Sequence, residues 1–143
     1  MKKSKRLEKL FMKKQVEDWI LLADKDLNAA ELIIKENYSL TNIVAFHCQQ
    51  SIEKYLKAFI IEEGLSLVKT HDLIKLNGMI NEIKDLGINE NKLMILNEVY
   101  IDSRYPGELG LIPNGMPTRE QAHEFIEYAK EIKTIICNEL NKI

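Results

Sequence analysis

The chain has 143 residues, of which 45% are hydrophobic and 29% charged, and its formal net charge is −2. That is enough for one soluble globular domain with a real core, and the charge excludes a globally basic nucleic-acid binder. No apolar run approaches the roughly 18 residues of a membrane span, and no signal-peptide core follows the basic start, so a cytoplasmic protein without membrane contact is expected.

The net charge conceals an asymmetry. Residues 1–14 carry seven Lys and Arg against Glu8 alone, a local +6, which leaves −8 for the remainder. This arm reads as a solvated tail, a helix extension or a phosphate-seeking segment ahead of a single domain over 15–143. From Val16 onward, Val16, Trp19, Ile20, Ala23, Leu27, Ala30 and Ile34 follow the spacing of an amphipathic helix. Asp18, Lys25, Asn28 and Glu31 lie opposite, and Leu7, Leu10 and Phe11 could extend the helix backward. Asn37-Tyr38-Ser39 closes it, with Ser39 or Thr41 as the expected cap of a second helix over roughly 41–64 that Gly64 terminates.

That second helix is the informative one. Ala45, Cys48, Ile52, Tyr55, Leu56, Phe59 and Ile60 form a broad apolar arc, while His47, Gln50, Ser51 and Lys54 fall on the other side. Gln49 sits inside the arc and needs hydrogen-bond partners, which a neighbouring connection could supply. Glu53 and Lys57, at its edge, are four apart and can form a pair worth about 0.2–0.5 kcal/mol.

A third helix opens at Thr70-His71-Asp72-Leu73, with Thr70 as the expected cap and Asp72 suited to the positive helix end. Leu73, Leu76, Ile80 and Ile83 form its stripe, Gly78 marks a weak or close-packed point, and Gly87 is the expected stop. Asn89 then caps a fourth helix through Leu93, Leu96, Val99 and Tyr100. Residues 102–117 hold all three prolines and three of the six glycines, so an irregular loop is expected there. Thr118 with Gln121 makes a capping box for a last helix, whose core face is Ala122, Phe125, Ile126, Ala129, Ile132, Ile136 and Leu140. The predicted fold class is all-α, an antiparallel bundle of about five helices.

Two cysteines, Cys48 and Cys137, fall on apolar helix faces and read as buried reduced thiols. No His or Cys pair has metal-ligand spacing, and there is neither a Gly-rich phosphate loop nor a Ser–His–Asp pattern. No metal and no cofactor are expected.

Gln49-Gln50-x-x-Glu53-Lys54-x-x-Lys57-Ala58, His71-Asp72-Leu73, Tyr100 and Arg104-Tyr105-Pro106, in that order ahead of a final helix, resemble the HEPN family. The resemblance runs from about Trp19 to the last helix. It implies a helical domain associated with RNA or nucleotides that dimerises through its central helices. It also implies pairing, in many members, with a minimal nucleotidyltransferase as a two-gene toxin–antitoxin module. Active members are metal-independent endoribonucleases built on an Arg followed, after four to six residues, by His.

Arg104 matches the arginine, whose guanidinium can fork onto phosphate or stabilise charge developing during cleavage. The positions that would hold the histidine are Leu109, Gly110 and Leu111, and none of these side chains moves a proton. The expectation is therefore a homodimeric module that binds RNA or a nucleotide near Arg104 or masks a nucleotidyltransferase partner, with weak or no cleavage of its own. Its contacts would come from Arg104, Tyr105, Ser103, His71, Gln50, Glu53, Lys54 and Lys57. One alternative is an endoribonuclease in which Tyr105, His71 or His123 supplies the proton transfer. Another is a structural partner subunit whose interface is the polar flank of the second helix. Each residue also has a plainer role: Arg104 could pair with Asp102 or Glu98, Tyr105 could lock the loop, and His71 could hold a helix start.

Overall fold

A computed structural model describes the backbone of residues 2–104 and 116–142 and the side chains of residues 4–100 and 116–142. Among the described residues there are five helices and no strand: α1 (Lys2–Glu36), α2 (Thr41–Glu62), α3 (Leu73–Asn81), α4 (Glu90–Arg104) and α5 (Arg119–Leu140). No helix among them is long and apolar enough to cross a membrane. The basic segment is helical and continuous with the first amphipathic stretch, so α1 begins well ahead of Val16.

α2 is the axis of the bundle and touches each of the other four helices. The four-residue connection 37–40 folds α2 back antiparallel against α1, α5 packs on both, and α3 pairs with α4 over the remaining side of α2. The core is built from Ile52, Tyr55, Leu56 and Ile60 of α2, meeting Leu73, Leu76, Ile80, Leu93, Leu96, Ile132 and Ile136. Full burial of each such Leu or Ile contributes about 1.5–3 kcal/mol. The α1 stripe Val16, Ala23, Leu27, Ala30 and Ile34 is buried as its spacing predicts.

The sequence divides α2 into an apolar arc and a solvated flank, and the fold does not keep that division. Ser51 is fully buried and donates to the Ala23 carbonyl at 2.9 Å, while His47, Gln50 and Lys54 are half-buried. α1 covers the flank, because Ala23 lets the two helices approach closely and Ser51 takes up a backbone acceptor there. Ser51, His47 and Lys54 of that flank therefore have intramolecular partners on α1.

The ends of the helices follow local chemistry, with four departures from expectation. Gly64, at φ +79°, ends α2 in a Schellman arrangement: Leu65 N–H donates to the Ile60 carbonyl and Gly64 N–H to that of Ile61. The α5 capping box between Thr118 and Gln121 forms as expected, as does the Asn89 cap on Lys92 N–H. At the start of α2, however, the cap is Leu40, and neither Ser39 nor Thr41 caps through its side chain; Ser39 is turned back onto Asn37. At α3 the cap is Asp72, which accepts from Ile74 and Lys75 N–H, while Thr70 accepts from Asp72 N–H one step earlier. α3 ends at Asn81, well short of Gly87, so Ile83 falls outside the helix and is exposed; Gly78 faces open space. Finally, Asp102, Ser103 and Arg104 belong to α4 rather than to the irregular loop. A helix usually ends at or before the residue preceding a proline, and Pro106 leaves room for it to run through Arg104.

Candidate functional site

Gln49, Glu53 and Lys57 are spaced four apart, so they stack along one line of α2 facing the start of α3. All three are buried, at 0%, 3% and 7% exposure, and that much polarity in a core requires internal partners. Glu53 is the hub. Its carboxylate accepts from Lys57 Nζ at 3.0 Å, from His71 Nδ1 at 2.8 Å and from Gln49 Nε2 at 3.4 Å. Gln49 Nε2 also donates to the His71 carbonyl at 2.8 Å, the role in a neighbouring connection that its position predicts. Gln50 donates to Gln49 Oε1 at 2.8 Å, and Lys57 lies 5.6 Å from the centre of the Trp19 ring. The weak Glu53–Lys57 pair expected from spacing is thus a buried pair within a hydrogen-bonded network, to which the magnitude for an isolated helix does not apply.

An ionised carboxylate only accepts, so Nδ1 of His71 carries the proton it gives to Glu53, and Nε2 is left on the outer side of the ring. The His71 side chain is 65% exposed while that of Glu53 is 4% exposed. A buried acid therefore holds an imidazole that reaches solvent. Such a ring can accept or deliver a proton, or contact an anion when charged.

α4 extends this polar edge. Asn97 accepts from Leu73 N–H at 3.2 Å and donates to Asp72 Oδ1 at 3.2 Å, fixing α4 over the His71-Asp72 corner. One turn on, Tyr100 lies against Phe46 of α2, with ring centroids 5.8 Å apart. Arg104 is the last residue of α4, about 10 Å along the axis from Asn97 at 1.5 Å per residue. The side chains of Ser103 and Arg104, and Tyr105 altogether, lie outside the described residues.

The structure thus brings Gln50, Glu53, Lys57 and His71 together. Lys54 is not among them. It lies about a quarter-turn round α2 from Glu53, where Asp26 of α1 takes both its ammonium and His47 Nδ1, the latter at 3.0 Å. Asp26 and Asn97 are the members of these clusters that sequence reasoning misses. The only signal for Asp26 is that His47, Ser51 and Lys54 recur along one side of a helix that must pack all round.

Both cysteines are free thiols, and Cys48 is buried as expected, whereas Cys137 is only half-buried. Burial, with a smaller push from Glu31, raises the Cys48 thiol from 9.0 to about 12, and burial also raises Cys137, so neither is a thiolate nucleophile near neutrality. Burial, and then the hydrogen bond and charge of Asp24, raise the Tyr55 phenol; burial followed by Glu131 raises that of Tyr128. Among the described residues, no three His, Cys, Asp or Glu side chains form a group that could hold a metal ion.

A separate groove of about 740 Å³ runs between α4 and α5, and its lining includes the exposed His123. Glu124, Glu127 and Glu131 outnumber Lys92 there, so its field repels phosphate.

The HEPN domain family model matches residues 16–140 of the chain. Among solved structures the chain is similar to the crystal structure of ST0689, an archaeal HEPN homologue. The two are 25% identical with a TM-score of 0.68, over 88% of this chain and 98% of that one. No curated protein matches.

Proposed function

The chain belongs to the HEPN family, and from that premise we propose that it is an RNA- or nucleotide-binding module that does not cleave. In this reading it acts as a homodimer alongside a minimal nucleotidyltransferase, as one half of a two-gene toxin–antitoxin pair. The observation that carries the reading is the setting of Arg104. It closes the helix that also carries Asn97 and Tyr100, so a bound phosphate at that helix end would lie along the same edge as the imidazole of His71. No histidine follows at positions 109–111, which argues for anchoring over proton transfer.

A second reading has one observation in its favour. Glu53 orients His71 as a carboxylate orients a general base, so an endoribonuclease using Arg104 with His71 is the enzymatic alternative.

Incubation of the purified chain with RNA in chelator, beside Arg104→Ala and His71→Ala, separates the two. The binding reading expects intact RNA, retained by the parent chain and released by Arg104→Ala. Cleavage lost in both variants would establish the enzyme instead. Co-purification with the product of an adjacent reading frame tests the nucleotidyltransferase partnership on its own.

A further inference from the structure

We propose that Nε2 of His71 is a phosphoryl acceptor, modified by small donors that carry a phosphoryl group on a good leaving group, namely phosphoramidates and acyl phosphates. The acceptor role stands apart from RNA binding and uses no residue at the end of α4. Attack by an imidazole needs a free lone pair facing outward and a group that stabilises the cation formed. In water a neutral histidine carries its proton mostly on Nε2, which blocks that atom. Here Glu53 Oε1 takes the Nδ1 proton at 2.8 Å, so the lone pair stays on Nε2. The other oxygen of Glu53 holds Lys57 Nζ at 3.0 Å, and Gln49 Nε2 holds the His71 carbonyl at 2.8 Å. Both the acid and the main chain beneath the ring are thereby fixed.

The three histidines of the chain separate the two requirements. His47 also bonds a carboxylate through Nδ1, that of Asp26 at 3.0 Å, but its side chain is only 26% exposed. The Phe46 ring stands edge-on against it, with centroids 5.3 Å apart. His123 is exposed on α5, and among the described residues its ring has no partner to orient it. Of the three, only His71 joins an oriented ring to an open Nε2, with its side chain 65% exposed. The start of α3 is no phosphate cradle, because Leu73 N–H is taken by Asn97 and those of Ile74 and Lys75 by Asp72. The site therefore suits transfer onto the ring rather than storage of a free anion. With phosphoramidate, the Nε2 lone pair attacks phosphorus and forms the new N–P bond. The old P–N bond breaks, and ammonia leaves with its own protons and the bonding pair. The ring becomes an imidazolium that keeps its Nδ1 proton on Glu53, whose charge stabilises it; Nε2 carried no proton and has none to lose.

Incubation of the full chain with potassium phosphoramidate at mildly alkaline pH, followed by peptide mass mapping, measures the three labelling rates. In the folded chain His71 should be labelled about tenfold or more faster than His47 or His123, and in concentrated urea the three rates should converge. Glu53→Gln, whose amide neither fixes the tautomer nor carries the charge, should bring His71 down to the His123 rate, with circular dichroism confirming the fold. Should that variant not fold, the folded-against-urea comparison in the parent chain decides. His123 labelled as fast as His71 in the folded chain would overturn the proposal. So would an advantage of His71 that persists in urea, or a folded Glu53→Gln chain labelled at the parent rate.

Discussion

Removing either member of the buried Glu53–Lys57 pair should destabilise the fold far more than removing both. The two side chains are 4% and 9% exposed, so water does little to screen either charge once its partner is gone. Glu53→Leu leaves the Lys57 ammonium with only the Trp19 ring, 5.6 Å from its centre. That variant belongs toward the upper end of the roughly 3–5 kcal/mol that breaking a buried pair costs. Lys57→Met is milder, about 3 kcal/mol, because His71 and Gln49 still donate to the carboxylate. The double variant Glu53→Leu/Lys57→Met exchanges the pair for apolar bulk and should fall within about 1 kcal/mol of the parent. Urea unfolding reads all three. With a slope of about 2 kcal/mol per molar, Lys57→Met should lower the midpoint by about 1.5 M. Single variants within about 0.5 kcal/mol of the parent, and a double variant equal to their sum, would mean a solvated pair of no consequence and refute the reasoning.

Other consequences are simpler. Thr118→Ala should cost about 1 kcal/mol by removing the acceptor of Gln121 N–H, whereas Ser39→Ala should cost much less because its hydroxyl caps nothing; thermal unfolding distinguishes them. Cys48 and the Tyr55 and Tyr128 phenols are all raised on folding, so the folded chain holds these protons more tightly than the unfolded one. Their contribution is complete below their unfolded values and drains away as pH rises, for Cys48 between 9.0 and about 12, so denaturant midpoints should decline above about pH 9. At pH 8 a thiol reagent should label Cys137 well before Cys48, which is fully buried, and equal rates would contradict that burial.

Much of the bundle is legible in the sequence because a helix that buries one face announces it by spacing. The α1 and α5 stripes and the Thr118–Gln121 box are local patterns, complete within one element. α2 resists the same reading because it is covered on every side. Its polar residues look like a solvent face until α1 supplies Asp26 and the Ala23 carbonyl, which no periodicity links to His47 or Ser51. The same limit governs the candidate site. Glu53, Lys57 and His71 can be nominated singly, but their convergence on one buried carboxylate depends on how the 65–72 connection returns to α2. Asn97 gives no local signal at all, since its worth lies in bridging two backbone-determined positions at the start of α3.

The proposed function requires Arg104 to anchor an anionic ligand. Fluorescence anisotropy of a labelled single-stranded RNA, titrated at fixed salt with the parent chain, Arg104→Lys and Arg104→Ala, tests it most directly. Saturable binding that weakens stepwise through Lys to Ala, by about tenfold or more at Ala, is the predicted result. Binding of equal strength in all three would contradict it.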